Sequence, residues 1–537
     1  MTLAYDDQAV LRDIQALAKH LLQTLDAWLA LQSEGPLALT HYTPNVHAAY
    51  NRIKSGFGTS PDVLLRWLQV PACAPEKVLI ASIDGLSDTQ MVDQDIVAPL
   101  LTTHEDPASW GENTLTPGHI HAEDSWDTII RALAAGNTLI FAPGFPKVWI
   151  VDTVTYKQRA ISRPQTEIGV RGPEDAFNEV LLTQMNQLRQ RILDPSLRFH
   201  QMVLGERQHT PVAIAYLDGL TNPALVETGI ARLEQVKISG RANATMISGL
   251  IRDHPRSIFP TMRSTERVDV ACWRLLEGKI LILVDGDPFV LIAPAPLADF
   301  YRTSMDYAEV WYDSSFVRII RLLGWILGVY FPALYIALTQ VNTNLVPAPL
   351  LAITLGSHAA LPFSPFAEAV LMVIIIEILR EASLRLPKPM GTTIGIIGAI
   401  VVGTAVVKAG FVSPQIIVII TLTALSFYTG PVYDLTGSWR LINMALLVTA
   451  DIFGIFGIVL LTMTLIGSLI QMTSFGTPYF VPYAPFRIKD FKDYLVRAPY
   501  DMLRQRPSSA RPLNTVLSRH GSVQEIPHLR QTQKERP

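Results

Sequence analysis

Leu441–Ile470 reads LINMALLVTADIFGIFGIVLLTMTLIGSLI, an apolar run with one ionisable side chain, Asp451. A helix that crosses a bilayer needs about 20 mostly apolar residues. This run exceeds that length, and Leu322–Leu338, Thr392–Val407 and Pro414–Tyr428 meet or approach it. About 300 residues of ordinary soluble composition precede the apolar region, and an Arg- and Pro-rich tail follows it. The chain therefore reads as a soluble α/β head followed by a transmembrane helical bundle, which excludes most soluble-enzyme classes.

The whole-chain averages conceal this division: mean hydropathy is +0.26 and charged residues make up 17%. A net charge of −3 gives no electrostatic reason to expect nucleic acid as a partner. The two cysteines, Cys73 and Cys272, read as buried hydrophobes and offer no disulfide framework. The N-terminus lacks a cationic start followed by an apolar core, so it reads as a surface helix over Asp6–Leu31 and not as a signal peptide. Arg302, Arg318 and Arg321 precede the first apolar run, and Arg487, Lys489, Lys492, Arg497, Arg504 and Arg506 follow the last. Basic flanks read as cytoplasmic, so head and tail are expected on that side of the bilayer and the number of crossings is expected to be even. Four spans satisfy this. Pro362–Pro387 begins apolar and ends charged, with Glu377, Arg380, Glu381 and Arg385 on one side of a helix. It reads as an interfacial or cavity-lining helix, with a fifth crossing as the alternative.

The head contains a repeat. Val78–Asp88 (VLIASIDGLSD) matches Val212–Asn222 (VAIAYLDGLTN), 134 residues further on. Gly136–Ile150 (GNTLIFAPGFPKVWI) matches Gly278–Ile292 (GKILILVDGDPFVLI), 142 residues further on. Each member of the second pair is two short apolar strands around a turn, with Asp285-Gly286 a hairpin signal, and each follows a helical stretch, Ser125–Ala135 or Asp269–Glu277. Two related α/β subdomains follow, 76–200 and 201–300, each with helices on a mixed sheet. Residues 1–75 read as a helical extension with a second helix at Ser60–Gln69, 301–480 as the membrane domain, and 481–537 as a basic, Pro-rich cytoplasmic tail.

Few motifs carry chemistry. No GxxxxGK[ST], GxSxG or paired-Cys pattern occurs, so nucleotide hydrolysis and nucleophilic catalysis lack support and no cofactor is expected. His119, His121 and Glu123 are ligand types that suit zinc, but no second pair stands at a usual spacing. The segment reads as a loop before a helix, and no metal is expected. In Glu167–Arg191 (EIGVRGPEDAFNEVLLTQMNQLRQR), Pro173 followed by Glu174 and Asp175 reads as a helix start. Arg171-Gly172 before it reads as a tie between subdomains, with anion binding as the rival. Gly395, Ala399 and Gly403 recur every fourth residue, a small face that lets helices approach closely or lines a narrow path. Asp451 is an intramembrane acid, costly unless wet or paired with Arg440 or Asn443.

VRGPEDAFNE with Arg189-Gln190-Arg191 resembles the VRGP-helix segment of the A subunits of GerA-type spore germinant receptors. TERVDVACWRLLEGKILILVDGDPFVLIAP (Thr265–Pro294), Arg318–Leu338 with its FPALY, and Pro362–Pro387 with its ILREASLRLP resemble three further signatures of that family. The resemblance covers Val78 to Leu495; the IFAPG of the first hairpin departs from the family's usual Asp-Gly turn. It implies a non-enzymatic membrane subunit of a germinant receptor in the spore inner membrane, taking part in nutrient-triggered germination. It implies a homo-oligomer that conducts ions, partnered by a transporter-like B subunit, a lipoprotein C subunit and the bilayer. Arg171, Gly172, Pro173, Phe177, Glu179, Arg189, Arg191, Asp285 and Gly286 become the family-motif or assembly residues. Gly395, Ala399, Gly403, Glu377, Glu381 and Asp451 become candidates for an ion path or helix packing. A paralogous branch similar to SpoVAF has the same domains, and a stand-alone ion transporter is the remaining alternative.

Overall fold

The computed structural model describes residues 40–517, apart from 156–162, 168, 170, 241, 359–360, 386–394, 396–397, 399–400, 495 and 501. The helix expected over Asp6–Leu31 and the tail beyond residue 517 lie outside the described residues.

The head is two sheets of the same topology. The strands β1 (Val63–Leu68), β2 (Val78–Ile83), β3 (Ile120–Glu123), β4 (Thr138–Phe141) and β5 (Val148–Val151) form one in the order β1-β2-β4-β5-β3. The strands β6 (Leu197–Leu204), β7 (Thr210–Leu217), β8 (Arg263–Thr265), β9 (Ile280–Val284) and β10 (Val290–Ala293) repeat it as β6-β7-β9-β10-β8. The matched stretches at Val78 and Val212 are thus β2 and β7, second in each sheet. Among the head helices, α1 (Val46–Phe57) and α2 (Trp126–Ala134) cover the first sheet, while α3 (Leu181–Arg191), α4 (Pro223–Glu234) and α5 (Val268–Leu276) cover the second.

Two expectations about the head need correction. All pairings in both sheets are antiparallel, not mixed. The units β3–α2–β4 and β8–α5–β9 each place two strands in the same direction, but the returning hairpin strand, β5 or β10, inserts between them, giving a split βαβ arrangement. Ser60–Gln69 is also not a helix. Val63, Leu65 and Trp67 pack inward while Leu64 is 43% exposed, a period of two, and β1 pairs along β2 from Val63↔Ile83 to Leu68↔Val78. The first subdomain therefore takes in residues assigned to the extension.

Four helices anchor the rest: α6 (Trp311–Ile336), α7 (Pro365–Arg385), α8 (Pro414–Tyr428) and α9 (Tyr433–Gln471). Trp311–Val341 and Tyr433–Gln471 are long and apolar enough to cross a membrane, and Pro414–Tyr428 is a shorter apolar helix. A straight α9 of 39 residues would be about 58 Å long, yet both its ends meet the head. Asp434 accepts a hydrogen bond from Ser264 (2.7 Å) and Ser438 donates to the Ile258 carbonyl (2.5 Å) at one end; Met472 meets Ser257 at the other. Midway, Gly454 adopts φ 61°, ψ −142°, and the Ile455 amide donates to Asn342 Oδ1 (2.9 Å) beyond the distal end of α6. The run read as one span is a helical hairpin, out over 433–453 and back over 455–471. The remaining passes follow from contacts. The chain leaves the head along α6. It returns along α7, from Glu368 at the far end to Glu377, which pairs with Arg440 (3.0 Å). Gly398 lies against Leu379 and Phe411 stacks on Phe363 at 6.3 Å, so Gly398 stands toward the head and Phe411 at the far end. Along α8 it comes back, Ser426 and Thr429 lying against Gly328 and Gly324 of α6. The helix within Pro362–Pro387 and the two arms of α9 thus add to the apolar runs read from sequence.

Candidate functional site

The VRGP segment works as a tie, though not as sequence alone suggests. No helix starts at Pro173; α3 begins at Leu181. Gly172 takes φ 101° and the chain lies extended along the second subdomain, where the Phe177 amide donates to the Glu266 carbonyl (2.7 Å) and Arg267 donates to the Pro173 carbonyl (2.7 Å). Phe177 is buried. Asp285 accepts from the Leu181 amide (3.0 Å), capping α3, and the Gly286 amide donates to the Glu179 carbonyl (2.7 Å). Arg191 pairs with Asp175 (2.6 Å). The bond to the first subdomain is made by Arg189, not Arg171. Arg189 is fully buried, pairs with the equally buried Asp62, donates to the Leu197 carbonyl and lies over Phe199 at 5.1 Å. Arg171 is exposed and has no partner among the described residues.

Where the head meets the helices, charges converge out of water. Arg302 is wholly buried and donates to Glu277 (2.7 Å), Asp299 (3.3 Å) and Asp493 (2.5 Å). Arg274 bridges Glu277 (2.8 Å) and Asp299 (3.3 Å), and Lys279 contacts Asp299. Tyr307 accepts from Arg302 (2.8 Å) and donates to Asp493 (2.8 Å). On α6, Arg318 donates to Asp306 (2.8 Å) and to the Asp493 carbonyl (2.5 Å), while Arg321 donates to the Tyr301 carbonyl (2.6 Å) and Asp306 (3.3 Å). Arg497 is buried, donates to the Glu309 carbonyl (2.5 Å) and lies over Tyr500 at 4.5 Å. The network joins the end of α5, the connection 297–306, the base of α6 and the segment after α9. Burial raises the Glu277 carboxyl, but Arg274, Arg302 and Lys279 outweigh it and hold Glu277 down at about 2. Burial likewise opposes ionisation of Asp299, and Arg274, Lys279 and Arg302 keep it well below the usual carboxylate range. Burial pulls Lys279 down to about 8 against the attraction of Asp299. Among the described residues, Arg263, Arg274, Lys279, Arg302, Arg318, Arg321 and Arg497 stand with Glu167, Glu277, Asp299, Asp306 and Asp493, seven cations and five carboxylates. The arginines read as topogenic flanks, Arg302, Arg318, Arg321 and Arg497, are thus structural ions. Nor is 481–517 a free tail: Pro512 packs against Gly278 and the Leu513 amide donates to the Leu220 carbonyl (2.9 Å).

Inside the bundle, Pro332 of α6 has no amide to give the Gly328 carbonyl. Asn443 of α9 supplies the donor (3.0 Å) and also bonds the Val329 carbonyl (2.9 Å). Asn443 and Arg440 are therefore both engaged elsewhere, and Asp451, three residues before the Gly454 turn, has no partner among the described residues. Glu377 is neutralised by Arg380 and Arg440, and Glu381 also has a partner. Gly395 and Gly403 have no described residue within 4 Å of where a Cβ would stand, and Ala399 lies outside the described residues. The close helix contact is at Gly324 and Gly328, a GxxxG pair in Arg318–Leu338 that the sequence reading passed over. His119, His121 and Glu123 lie on or beside the edge strand β3, not in a loop, and no group of three or more metal-ligating side chains forms among the described residues. Cys272 is buried, its thiol pushed up to about 12 by burial; Cys73 is only partly buried.

The ionic joint was legible only as basic residues near spans. Its acids, Glu277, Asp299, Asp306 and Asp493, are scattered over 217 positions and have no common motif.

The chain is 33% identical over 483 residues to spore germination protein KA of Bacillus subtilis (strain 168), covering 89% of this chain and 88% of that one. It is 35% identical over 448 residues to spore germination protein B1 of the same organism, covering 83% and 93%. The crystal structure of the N-terminal domain of the A subunit of the Bacillus megaterium spore germinant receptor GerK3 aligns over 47% of this chain and 96% of that chain, with 26% identity and a TM-score of 0.36. Residues 51–509, from the first helix of the head to the segment beyond α9, match the Bacillus/Clostridium GerA spore germination protein family, and the chain belongs to it.

Proposed function

We propose that this chain is the A subunit of a spore germinant receptor: a non-enzymatic membrane protein that takes part in nutrient-triggered germination. The observation that carries the reading is the family match across residues 51–509, head and helices together. In this reading six passes cross the spore inner membrane, with the head and residues 481–517 on the cytoplasmic side. Exposed Lys489 and Lys492 beside the last pass support that orientation. A transporter-like B subunit and a lipoprotein C subunit complete the receptor, and copies of this chain assemble around an ion path. The space free of described neighbours beside Gly395 and Gly403 supports an inter-subunit role for that face.

The test is complementation. Spores lacking their own receptors, supplied with this chain and its companion B and C subunits, should release ions and germinate when given the cognate nutrient; spores without this chain should not. Germination that is independent of this chain would overturn the reading. Gly403→Leu should alter oligomer size or ion release, and wild-type behaviour in both would remove the small face from the ion path.

A further inference from the structure

A small cleft opens where the ionic joint meets the base of α6. Tyr301, Arg318, Leu322, Tyr483 and Tyr494 line it, and its interior, about 10 Å³, admits one water-sized group. Arg318 is buried, yet its Nη2 has no hydrogen-bond partner among the described residues. A buried guanidinium N–H left unpaired is costly, and the surrounding network already carries two cations more than its carboxylates balance. The cleft thus offers a donor, an excess of positive charge and phenols, and it wants an anionic oxygen.

The surroundings say what carries that oxygen. The apolar part of α6 starts at Leu322 on the cleft wall, so the cleft lies at the level where the bilayer's polar interface would be in the proposed topology. Tyr483 packs edge-on to Phe491 (5.5 Å), which packs on Phe486 (5.2 Å). Phe486 and Ile488 are each 71% exposed and alternate along the chain with Arg487 and Lys489. Exposed apolar side chains alternating with cations suit a segment lying in a lipid interface over anionic headgroups. The interior is too small for a whole phosphate, so one oxygen enters while the remainder of the group stays at the mouth, beside lipid.

We propose that this cleft takes a phosphate oxygen of an anionic phospholipid, held by Arg318 and the flanking tyrosines, so that a lipid headgroup closes the joint between head and helices. The proposal rests on the membrane-embedded reading above.

The test uses the full chain purified in detergent, with phosphatidylglycerol or phosphatidylcholine added, or inorganic phosphate alone. Native mass spectrometry should show one phosphatidylglycerol retained over phosphatidylcholine by at least about fivefold, the effect of roughly one cation near a lipid surface. Phosphatidylglycerol should also raise the melting temperature, and inorganic phosphate should not. Tyr483→Phe and Leu322→Trp, which remove a hydroxyl or block the mouth and leave the ion pairs intact, should lower retention of phosphatidylglycerol while size exclusion stays that of the wild type. Equal retention of both lipids, equal stabilisation by inorganic phosphate, or unchanged retention in both variants would overturn the proposal. Because retention is measured without spores, it can fail while complementation succeeds, and the reverse.

Discussion

Asp493 is the residue on which three parts of the chain depend. Its carboxylate takes bonds from Arg302 and Tyr307, and its carbonyl takes one from Arg318. Removing one partner of a buried ion pair leaves the other charge desolvated, at a cost of about 3–5 kcal/mol. Asp493→Asn should therefore lower the thermal stability of the detergent-solubilised chain by that order, and a wild-type melting curve would show the joint to be dispensable. The same network sets an acid limit. Glu277 and Asp299 have folded-state pKa values held below their usual ones. The unfolded chain therefore binds the extra protons, and the stability these groups give is present above their unfolded values. It should be lost as pH falls from about 4.5, the ordinary value for Glu277, toward about 2. Unfolding midpoints measured across that window should drop, and a flat profile would contradict the assignment. None of this was visible in sequence, where the arginines stood out by their positions and the acids that hold them did not. The VRGP motif was visible, but its partner Asp62 lies 127 residues before Arg189.

Among the elements, hydropathy marks the runs that become α6, α8 and α9 and gives no sign of the turn within α9. Hydropathy registers that Leu441–Ile470 is apolar throughout; it has no signal for direction. The reversal at Gly454 depends on φ 61°, which glycine reaches without steric cost, and on Asn342, distant in sequence, receiving the Ile455 amide. The same logic holds at Asn443. Its amide satisfies the carbonyl freed by Pro332, and in an apolar surrounding that bond contributes about 1–2 kcal/mol. Asn443→Leu should cost that much in unfolding free energy and loosen the contact of α6 with α9, read as faster hydrogen exchange around Gly328. Unchanged exchange would show that the carbonyl finds another donor. In the head, Val63–Leu68 is apolar nearly throughout, a short run that periodicity alone cannot assign to helix or strand. The backbone pairing with β2, not local propensity, decides its state.

The whole molecule is a head and a helical bundle, fastened at one face by buried ions and by the segment after α9. This arrangement makes a topological prediction. With Cys73 replaced by Ser, a cysteine at Leu345, 65% exposed at the end of the bundle away from the head, should react with an impermeant reagent applied to intact cells. A cysteine at Lys489 should react only after permeabilisation. Labelling of both from outside would break the even count. The sequence by itself determined the division into head and helices, the internal repeat and the family. Those properties are carried by hydropathy, periodicity and ordered motifs, which are local and additive along the chain. Only the tertiary structure decided the antiparallel order of the sheets, the hairpin within α9 and the ionic joint. Each depends on partners 100 or more residues apart, brought together by packing, and long-range pairing leaves no mark in the spacing of neighbouring residues.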